Sequence, residues 1–322
     1  MKTLDFLRRF TTFLIMLITL SSYANEPAKV KFIPNSQTII PGEIVSKSSK
    51  SIAAPIGDYH EAPIIKIFIN KKGPYFFILA TGSELTYISD KLAENLNLPV
   101  VQNFNKVDDT NAVHVNEKLY LADEMDIGGF VVKNYAILST VLLDKDYLNT
   151  KAHVDGVLSA NAFYGMLMTT DYRKENIHLE KGALNQDDKN VLKLIKSPVP
   201  TIQAQINFAK LKKQEIQNFV LNTYNFRFIY VNSCKIPELH QFEGKQGERL
   251  EDIDGIKSIA DFAQLYGSIV LSESIIINSP YIHFGQDACN DNVIAGQFGK
   301  KFFETYKVTL DLENGLTRIV KY

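Results

Sequence analysis

Few side chains in this 322-residue sequence have the type and spacing needed for catalysis or metal binding. Ser83 lies in a Thr-Gly-Ser turn, but no nearby histidine and no strand–helix elbow marks it as a nucleophile, so we expect a turn hydroxyl. The six histidines show no HExxH motif or other ligand spacing, which predicts no metal site. They are His60, His114, His153, His178, His240 and His283.

Binding motifs for calcium, nucleotides and nucleic acid are also missing. Paired aspartates lack the alternating oxygen ligands and central glycine of a calcium loop, and Gly128-Gly129 is typical of a hairpin turn. We therefore expect no cofactor. The sequence has 35 Lys and Arg against 36 Asp and Glu, so its net charge of -1 offers no basic excess to attract nucleic acid.

Residues 1–24 have the pattern of a secretory signal peptide. Basic residues precede the apolar run at 13–18, and Ser22-Tyr23-Ala24 supplies small residues for cleavage. That run is short for a membrane helix, and no later stretch approaches about 18 uncharged apolar residues, so we expect no stable membrane span. The sequence predicts an exported protein, periplasmic or secreted, with an uncleaved anchor as the less favoured alternative.

Two cysteines, Cys234 and Cys289, remain after the predicted cleavage. In an oxidising compartment this even count favours one disulfide, which would close a loop of about 55 residues. If their Cα atoms lie too far apart, both cysteines are instead small buried residues.

The body of the chain is rich in β patterns. Residues 64–69 and 75–79 are β-rich runs on either side of a Lys-Lys-Gly-Pro turn, which predicts a hairpin. A short helical pattern follows at 90–96 and is closed by Pro99. Residues 25–60 are low in pattern and rich in Ser, Pro and Lys, which favours a flexible N-terminal arm.

An internal repeat divides the body into two halves. Residues 77–81, Phe-Ile-Leu-Ala-Thr, return as Phe-Val-Leu-Asn-Thr at 219–223, an offset of 142. A second block beginning at 156 returns at 296, an offset of 140. We predict two homologous β lobes, residues 61–183 and 198–322, joined by a linker at 184–197.

Residues 77–83, Phe-Ile-Leu-Ala-Thr-Gly-Ser, followed by Ile88-Ser89, resemble the active-site strand of bacterial retropepsin-like aspartic proteases, whose motif is apolar-apolar-Asp-Thr-Gly-Ala/Ser. Residues 155–159 through 170–172 are similar to that family's second signature. Two fused copies resemble the bilobed pepsin arrangement. The resemblance implies a mainly β fold of two aspartic-protease-like barrel lobes with a cleft, here called the groove, between them.

The resemblance also implies one catalytic aspartate in each lobe, and neither is present. These proteases use two carboxylates that share a proton, one ionised and one protonated. Ala80 stands at the first position, and Asn222, which hydrogen-bonds but does not titrate, stands at the second. Losing one positioned acid–base group costs about 10²–10⁴-fold in rate, and losing both removes the mechanism.

The rest of the motif is partly kept. Thr81 and Thr223 occupy the family's threonine positions, and the resemblance implies that their hydroxyls hydrogen-bond across the lobe junction. Gly82 is also kept and allows close backbone approach. In the second copy Tyr224 replaces this glycine, and we expect its ring to crowd the floor of the groove.

Nearby carboxylates are poor substitutes for the missing acids. Glu84 lies four positions beyond Ala80, and Asp155 stands where the resemblance implies a common acid without a catalytic role. We expect neither to act as a general base. In the second signature, Ser159 stands where glycine is usual, although Gly299 keeps the glycine in lobe two.

These features predict an exported, non-catalytic, protease-like protein. Its groove, roofed by a hairpin around residues 113–126, would hold an extended peptide or protein segment by strand addition. Two alternatives stay open. One is a structural β protein with a closed groove, and the other is an aspartic endopeptidase, if Ala80 replaces a native aspartate and the lobe-one loops pair in a homodimer.

Overall fold

The computed structural model describes most of the chain. The described ranges are 31–32, 39–46, 48–55, 62–108, 113–140, 154–236, 248–251, 257–285 and 294–322. The predicted signal peptide and Cys289 lie outside these residues, so both stay predictions. None of the helices in the described ranges has the length and apolar character that crossing a membrane requires.

The described chain is mainly β and forms two barrel-like lobes with a groove between them, which confirms the predicted fold class. The arm and lobe one contribute β1 (Lys31–Phe32), β2 (Ile39–Ile40), β3 (Glu43–Ile44), β4 (Lys50–Ala53), β5 (Ile64–Ile69), β6 (Lys72–Ala80), β7 (Tyr87–Ser89), β8 (Val100–Asp108), β9 (Val113–Ile127), β10 (Phe130–Thr140), β11 (Gly156–Ser159), β12 (Leu167–Asp171) and β13 (Asn176–Glu180).

The linker and lobe two supply the remaining strands. They are β14 (Val191–Lys193), β15 (Thr201–Phe208), β16 (Lys213–Leu221), β17 (Ile229–Asn232), β18 (Glu248–Glu251), β19 (Lys257–Gln264), β20 (Gly267–Ser272), β21 (Ile275–Asn278), β22 (Tyr281–Gly285), β23 (Ile294–Phe298), β24 (Tyr306–Asp311) and β25 (Leu316–Lys321). Helices are short: α1 (Asp90–Asn95), α2 (Lys300–Thr305) and the 3-10 turns Ala160–Phe163 and Tyr172–Lys174.

Lobe one is a closed barrel. Strands β10, β7, β11, β6, β5 and β9 pair in that order, and β9 pairs back onto β10. The strands alternate between the two faces of the sheet. Ile65, Ile67 and Ile69 of β5 are fully buried, whereas Lys66 and Phe68 are exposed. This period of two places one face of each strand in the barrel interior.

Lobe two repeats the same pairing scheme in a more open form. Its described strands follow the order β18-β19-β22-β17-β23-β16-β15-β20-β21. Strand β16 pairs parallel with β23, which pairs antiparallel with β17, just as β6, β11 and β7 do in lobe one. The long strand β9 has its counterpart in two shorter strands, β19 and β20, so among the described residues this half of the molecule is a half-barrel.

A third sheet joins the lobes. Its order is β14-β25-β24-β12-β13-β4, and β12 of lobe one pairs with β24 of lobe two at its centre. Thr169 faces Thr309 in this pair, and their hydroxyls are 2.8 Å apart. These two residues are separated by 140 positions, the repeat offset, so the pseudo-two-fold axis that relates the lobes passes between them.

The strand pairing tests several of the predicted hairpins and turns. The predicted hairpin of β5 and β6 is confirmed, but its turn is Asn70-Lys71, with φ of 49° and 65°, and not the following Gly-Pro. Both residues are left-handed, as a two-residue hairpin turn requires. Gly128-Gly129 also forms the predicted turn, between β9 and β10. The hairpin predicted around residues 113–126 is wrong in its bounds, because these residues belong to a single strand, β9, which pairs with β8 on one side and with β10 on the other.

The predicted arm is attached to the body through two of its strands, whereas β1 and β2 pair with each other in a separate sheet. Strand β3 pairs with β10, and β4 pairs with β13 at the edge of the third sheet. The Ser- and Lys-rich composition did not indicate these strands. The predicted linker, 184–197, contains β14, which pairs with β25.

Asp171 fixes the end of β12 in the third sheet. Its carboxylate accepts hydrogen bonds from the Lys174 N–H (3.2 Å) and the Tyr322 hydroxyl (3.1 Å), and Lys307 Nζ lies 2.9 Å away. Burial opposes ionisation, but the hydrogen bonds from Lys307, Tyr322 and the Lys174 N–H outweigh it and lower the pKa of Asp171.

We predict that Asp171→Asn reduces the acid sensitivity of the fold. A lowered folded-state pKa stabilises the protein above the ordinary value of 3.8, and this stabilisation is lost as the pH falls below it. The variant should lose about 1–3 kcal/mol of unfolding free energy at pH 7 and less at pH 2.5, measured by urea unfolding. The exposed Asp187→Asn is the control, and equal losses at both pH values would contradict this role.

Candidate functional site

Two threonines tie the motif turns of the lobes together. The Thr81 N–H donates to Thr223 Oγ1 (3.1 Å), and the Thr223 N–H donates to Thr81 Oγ1 (3.0 Å). Each hydroxyl then donates across the junction, Thr81 Oγ1 to the Leu221 carbonyl (2.6 Å) and Thr223 Oγ1 to the Leu79 carbonyl (2.7 Å). Both threonines are fully buried. We call these four hydrogen bonds the threonine grip.

Strand geometry places the two turns. Strand β6 ends at Ala80 and β16 ends at Leu221, so each threonine lies in the turn that follows its strand. The Ser83 N–H donates to the Ala80 carbonyl and closes the first turn, and the Asn225 N–H closes the second on the Asn222 carbonyl. We call these two turns, residues 80–83 and 222–225, the floor of the groove.

The floor holds no titratable group at the two positions where the resemblance implies aspartates. Ala80 is buried and presents a methyl group. Asn222 Oδ1 accepts from the Tyr224 N–H (3.0 Å), and its Nδ2 donates to Gln297 Oε1 (2.8 Å). Gln297 Oε1 also accepts from Asn225 Nδ2 at 3.3 Å. An amide cluster therefore stands where a carboxyl dyad would be, and amides cannot shuttle protons at ordinary pH.

Position 82 must be a glycine, because the opposite turn lies too close for a side chain. A Cβ added at Gly82 would lie 2.6 Å from Asn222 Cγ, closer than non-bonded carbons can come. The pseudo-two-fold axis that exchanges Thr81 with Thr223 also exchanges Gly82 with Tyr224 and Asn222 with Ala80. By this symmetry we expect the Cβ of Tyr224 to face position 80, where a residue without a γ atom such as Ala80 would fit.

Tyr224 reaches from lobe two onto lobe one. Its ring packs against a small apolar cluster on the outer face of the first barrel. The buried members are Ala62, Ile78 and Val154. Tyr87 and Val157 are half-buried and, like Tyr224, pack against these three. Burial and the negative charges of Glu117 and Glu84 raise the pKa of Tyr87 to about 12, so this phenol stays neutral.

The nearby carboxylate and hydroxyl groups have structural partners. Asp155 accepts from the Phe76 N–H (2.8 Å) while its own N–H donates to the Phe76 carbonyl (2.8 Å). Ser83 Oγ donates to the Leu85 carbonyl at 2.8 Å. The Glu84 carbonyl accepts from Asn161 Nδ2 at 2.8 Å. These contacts hold the lobe-one turn in place.

Ser159 has a role that the sequence motif did not indicate. Its Oγ donates to the Ser83 carbonyl (2.6 Å) and accepts from the Asn161 N–H (3.1 Å). The equivalent residue in lobe two, Gly299, has no such space, because an added Cβ would collide with the carbonyl oxygens of Asn225 and Arg227. The lobes therefore hold their floor turns in different ways.

Metal and thiol chemistry have little support among the described residues. No three His, Cys, Asp or Glu side chains in the described ranges are grouped closely enough to hold a metal ion. Cys234 is disulfide-bonded and is not a free thiol. Cys289 is the other cysteine of the chain and lies outside the described residues, so the predicted pairing of these two stays a prediction.

Two comparisons of the sequence with known proteins give no match. A scan against models of protein families matches none of them, and a search of curated proteins finds no similar sequence. The likeness to aspartic proteases therefore rests on the motif residues and on the geometry of the two lobes.

We predict that Thr81→Val weakens the junction between the lobes. Valine keeps the shape of threonine but removes the hydroxyl, which leaves the Thr223 N–H and the Leu221 carbonyl buried without this partner. Each orphaned group costs about 1–3 kcal/mol of unfolding free energy, measurable by urea unfolding. Thr81→Ser keeps the hydroxyl and should lose no more than about 1.5 kcal/mol for the missing methyl group. Equal losses in the two variants would mean that the grip adds little.

We also predict that Ala80 and Tyr224 are energetically coupled. Ala80→Asn adds a γ carbon opposite the Tyr224 Cβ and should cost about 1–3 kcal/mol by overpacking. In a Tyr224→Gly background the same change recreates the Asn222–Gly82 arrangement and should cost much less. A double-mutant cycle followed by thermal unfolding measures the difference, with Ala80→Ser as the smaller control. An identical cost in both backgrounds would show that these residues do not compete for space.

Proposed function

We propose that this chain is an exported, non-catalytic member of the aspartic-protease-like family that binds an extended peptide or protein segment in its groove. One observation carries the proposal: the threonine grip is complete, yet the two positions that it presents are an alanine and a hydrogen-bonded asparagine. The platform for a ligand is kept, and the acid–base pair is replaced.

The proposed lack of catalysis follows from the hydrogen-bond donors and acceptors of the floor residues. Peptide hydrolysis by this family needs one group that takes a proton from water and another that gives one to the carbonyl. Ala80 can do neither, and Asn222 is held at both ends of its amide. Asp155 is bound to the Phe76 backbone. The endopeptidase alternative needs an aspartate at position 80, where the symmetry of the two turns predicts that the Tyr224 Cβ would crowd a γ carbon.

Peptide binding is supported by the edges of the two hairpins. Among the described strands, β8 pairs with β9 alone and β18 pairs with β19 alone, so each hairpin has one side unpaired in its sheet order. An edge strand offers backbone N–H and C=O groups at the spacing of an extended peptide, which is the basis of strand addition. The half-buried Gln297 amide adds a side-chain contact beside the floor.

Export is supported by the sequence alone. The basic start, the short apolar run and the small residues at 22–24 have the order that a signal peptidase recognises. A protein in the periplasm or outside the cell would meet peptides and unfolded segments there, and one disulfide suits that compartment.

The proposal predicts peptide binding without cleavage. Residues 25–322 are purified with the disulfide intact, panned against a random 12-mer phage library, and incubated with denatured casein between pH 3 and pH 7. We expect the selected peptides that lack carboxylate side chains to bind equally well across this pH range, since the floor has no titrating pair, and we expect no pepstatin-sensitive cleavage of casein.

The control separates groove binding from adhesion to the surface. Gln297→Ala should weaken the selected peptides about five- to tenfold, the effect of one hydrogen bond of about 1 kcal/mol. Gln203→Ala, on the exposed outer face of β15, should leave binding unchanged. Pepstatin-sensitive cleavage would contradict the non-catalytic assignment, and failure to select any peptide would favour a structural protein with a closed groove.

A further inference from the structure

Each lobe carries an equivalent row of three side chains on neighbouring strands at the lobe junction. In lobe one, Val157 lies between Ile78 and Tyr87, and we call this the lobe-one row. In lobe two, the register is the same and the lobe-two row is Val220, Gln297 and Tyr230. Because the strands alternate, these rows lie on the faces opposite the barrel interiors.

The lobe-one row is already covered by a side chain of the protein itself. Tyr224 packs against the buried cluster that contains Ile78 of this row, and Val157 and Tyr87 pack against the same cluster, so an aromatic ring occupies an apolar surface that would suit a ligand side chain. The axis that relates the lobes exchanges Tyr224 with Gly82. Since Gly82 has no side chain, nothing from that position covers the lobe-two row. Val220 is nevertheless buried, and the Arg227 guanidinium lies 5.2 Å from the centroid of the Tyr230 ring, so the half-buried Gln297 is the member of this row that a ligand would meet.

The lobe-two row presents a hydrogen-bond donor. Gln297 Oε1 accepts from Asn222 Nδ2 and Asn225 Nδ2, which fixes the orientation of the Gln297 amide. Its Nε2 therefore points away from those two amides. A half-buried NH₂ group at this place favours a ligand side chain that can accept a hydrogen bond, such as an amide, a hydroxyl or a carboxylate.

We propose that Tyr224 is a built-in occupant of the lobe-one side-chain site, so that only the lobe-two half of the groove reads the side chains of a bound peptide. This rests on the proposed function and sharpens it. The ligand is an extended segment with a small residue facing Tyr224 and a hydrogen-bond-accepting side chain facing Gln297.

Removing the ring should change which peptides bind. Residues 25–322 are panned against the random 12-mer phage library as the native sequence, as Tyr224→Gly and as Tyr224→Phe. The native protein should select an accepting side chain without a bulky apolar neighbour at alternate positions, and Tyr224→Phe should select the same motif. Tyr224→Gly should additionally select an aromatic or branched apolar residue, in peptides that bind the native protein at least tenfold more weakly.

A second measurement tests the occupied site without any peptide. 4-Methylphenol, which matches the tyrosine side chain, should raise the melting temperature of Tyr224→Gly in a concentration-dependent way and leave the native protein and Tyr224→Phe unchanged. Tyr224→Ala serves in the same way if the glycine variant folds poorly. A variant whose stability does not respond to 4-methylphenol would overturn the inference.

The two experiments distinguish the possible failures. If no variant selects a peptide but 4-methylphenol binds Tyr224→Gly, the occupied site stands and peptide binding fails. If peptides are selected and Tyr224→Gly shows the same motif as the native protein, peptide binding stands and the occupancy by Tyr224 is refuted.

Discussion

The threonine grip is the interaction on which the arrangement of the lobes depends. Four short hydrogen bonds between fully buried groups hold the ends of β6 and β16 against each other. Because each hydroxyl serves as donor and acceptor at once, neither threonine can be satisfied without the other lobe. The grip therefore fixes how closely the two turns approach, and this distance decides which side chains the floor can hold.

Close approach makes the residues of the floor interdependent. The Asn222 side chain lies so close to position 82 of the other turn that only a glycine fits there. The pair Ala80 and Tyr224 reverses this arrangement, with the small residue on the strand end and the large one in the turn. If the two turns are symmetric here, a small residue at position 80 and a tyrosine at 224 satisfy one packing constraint, and an aspartate placed at position 80 alone would leave Asn222 as its non-titrating partner.

Sequence patterns predict the parts of this structure that have a local or repeated signal. Alternating apolar residues indicate the hairpin of β5 and β6, and the repeat offset indicates two lobes. The pairing of β4 with β13 has no such signal, because it joins residues far apart in the chain. The sequence also does not predict where the Tyr224 ring packs, because that depends on how closely two turns far apart in the sequence approach each other. Ser159 has a sequence signal, because it stands where glycine is usual, and its hydrogen bonds could have been predicted from the hydroxyl that glycine lacks.

A duplicated chain can do what an assembly of two identical halves cannot. Two identical lobes would line the groove symmetrically, and an extended peptide could then bind in either direction with equal affinity. Here the lobe-one row is apolar and covered by Tyr224, whereas the lobe-two row offers the Gln297 amide. A peptide that runs the wrong way would place its accepting side chain against an aromatic ring and leave the amide without that partner. If the groove binds a peptide as proposed, an unmet hydrogen bond of the half-buried Gln297 amide would cost up to about 1–3 kcal/mol, which would favour one direction of binding.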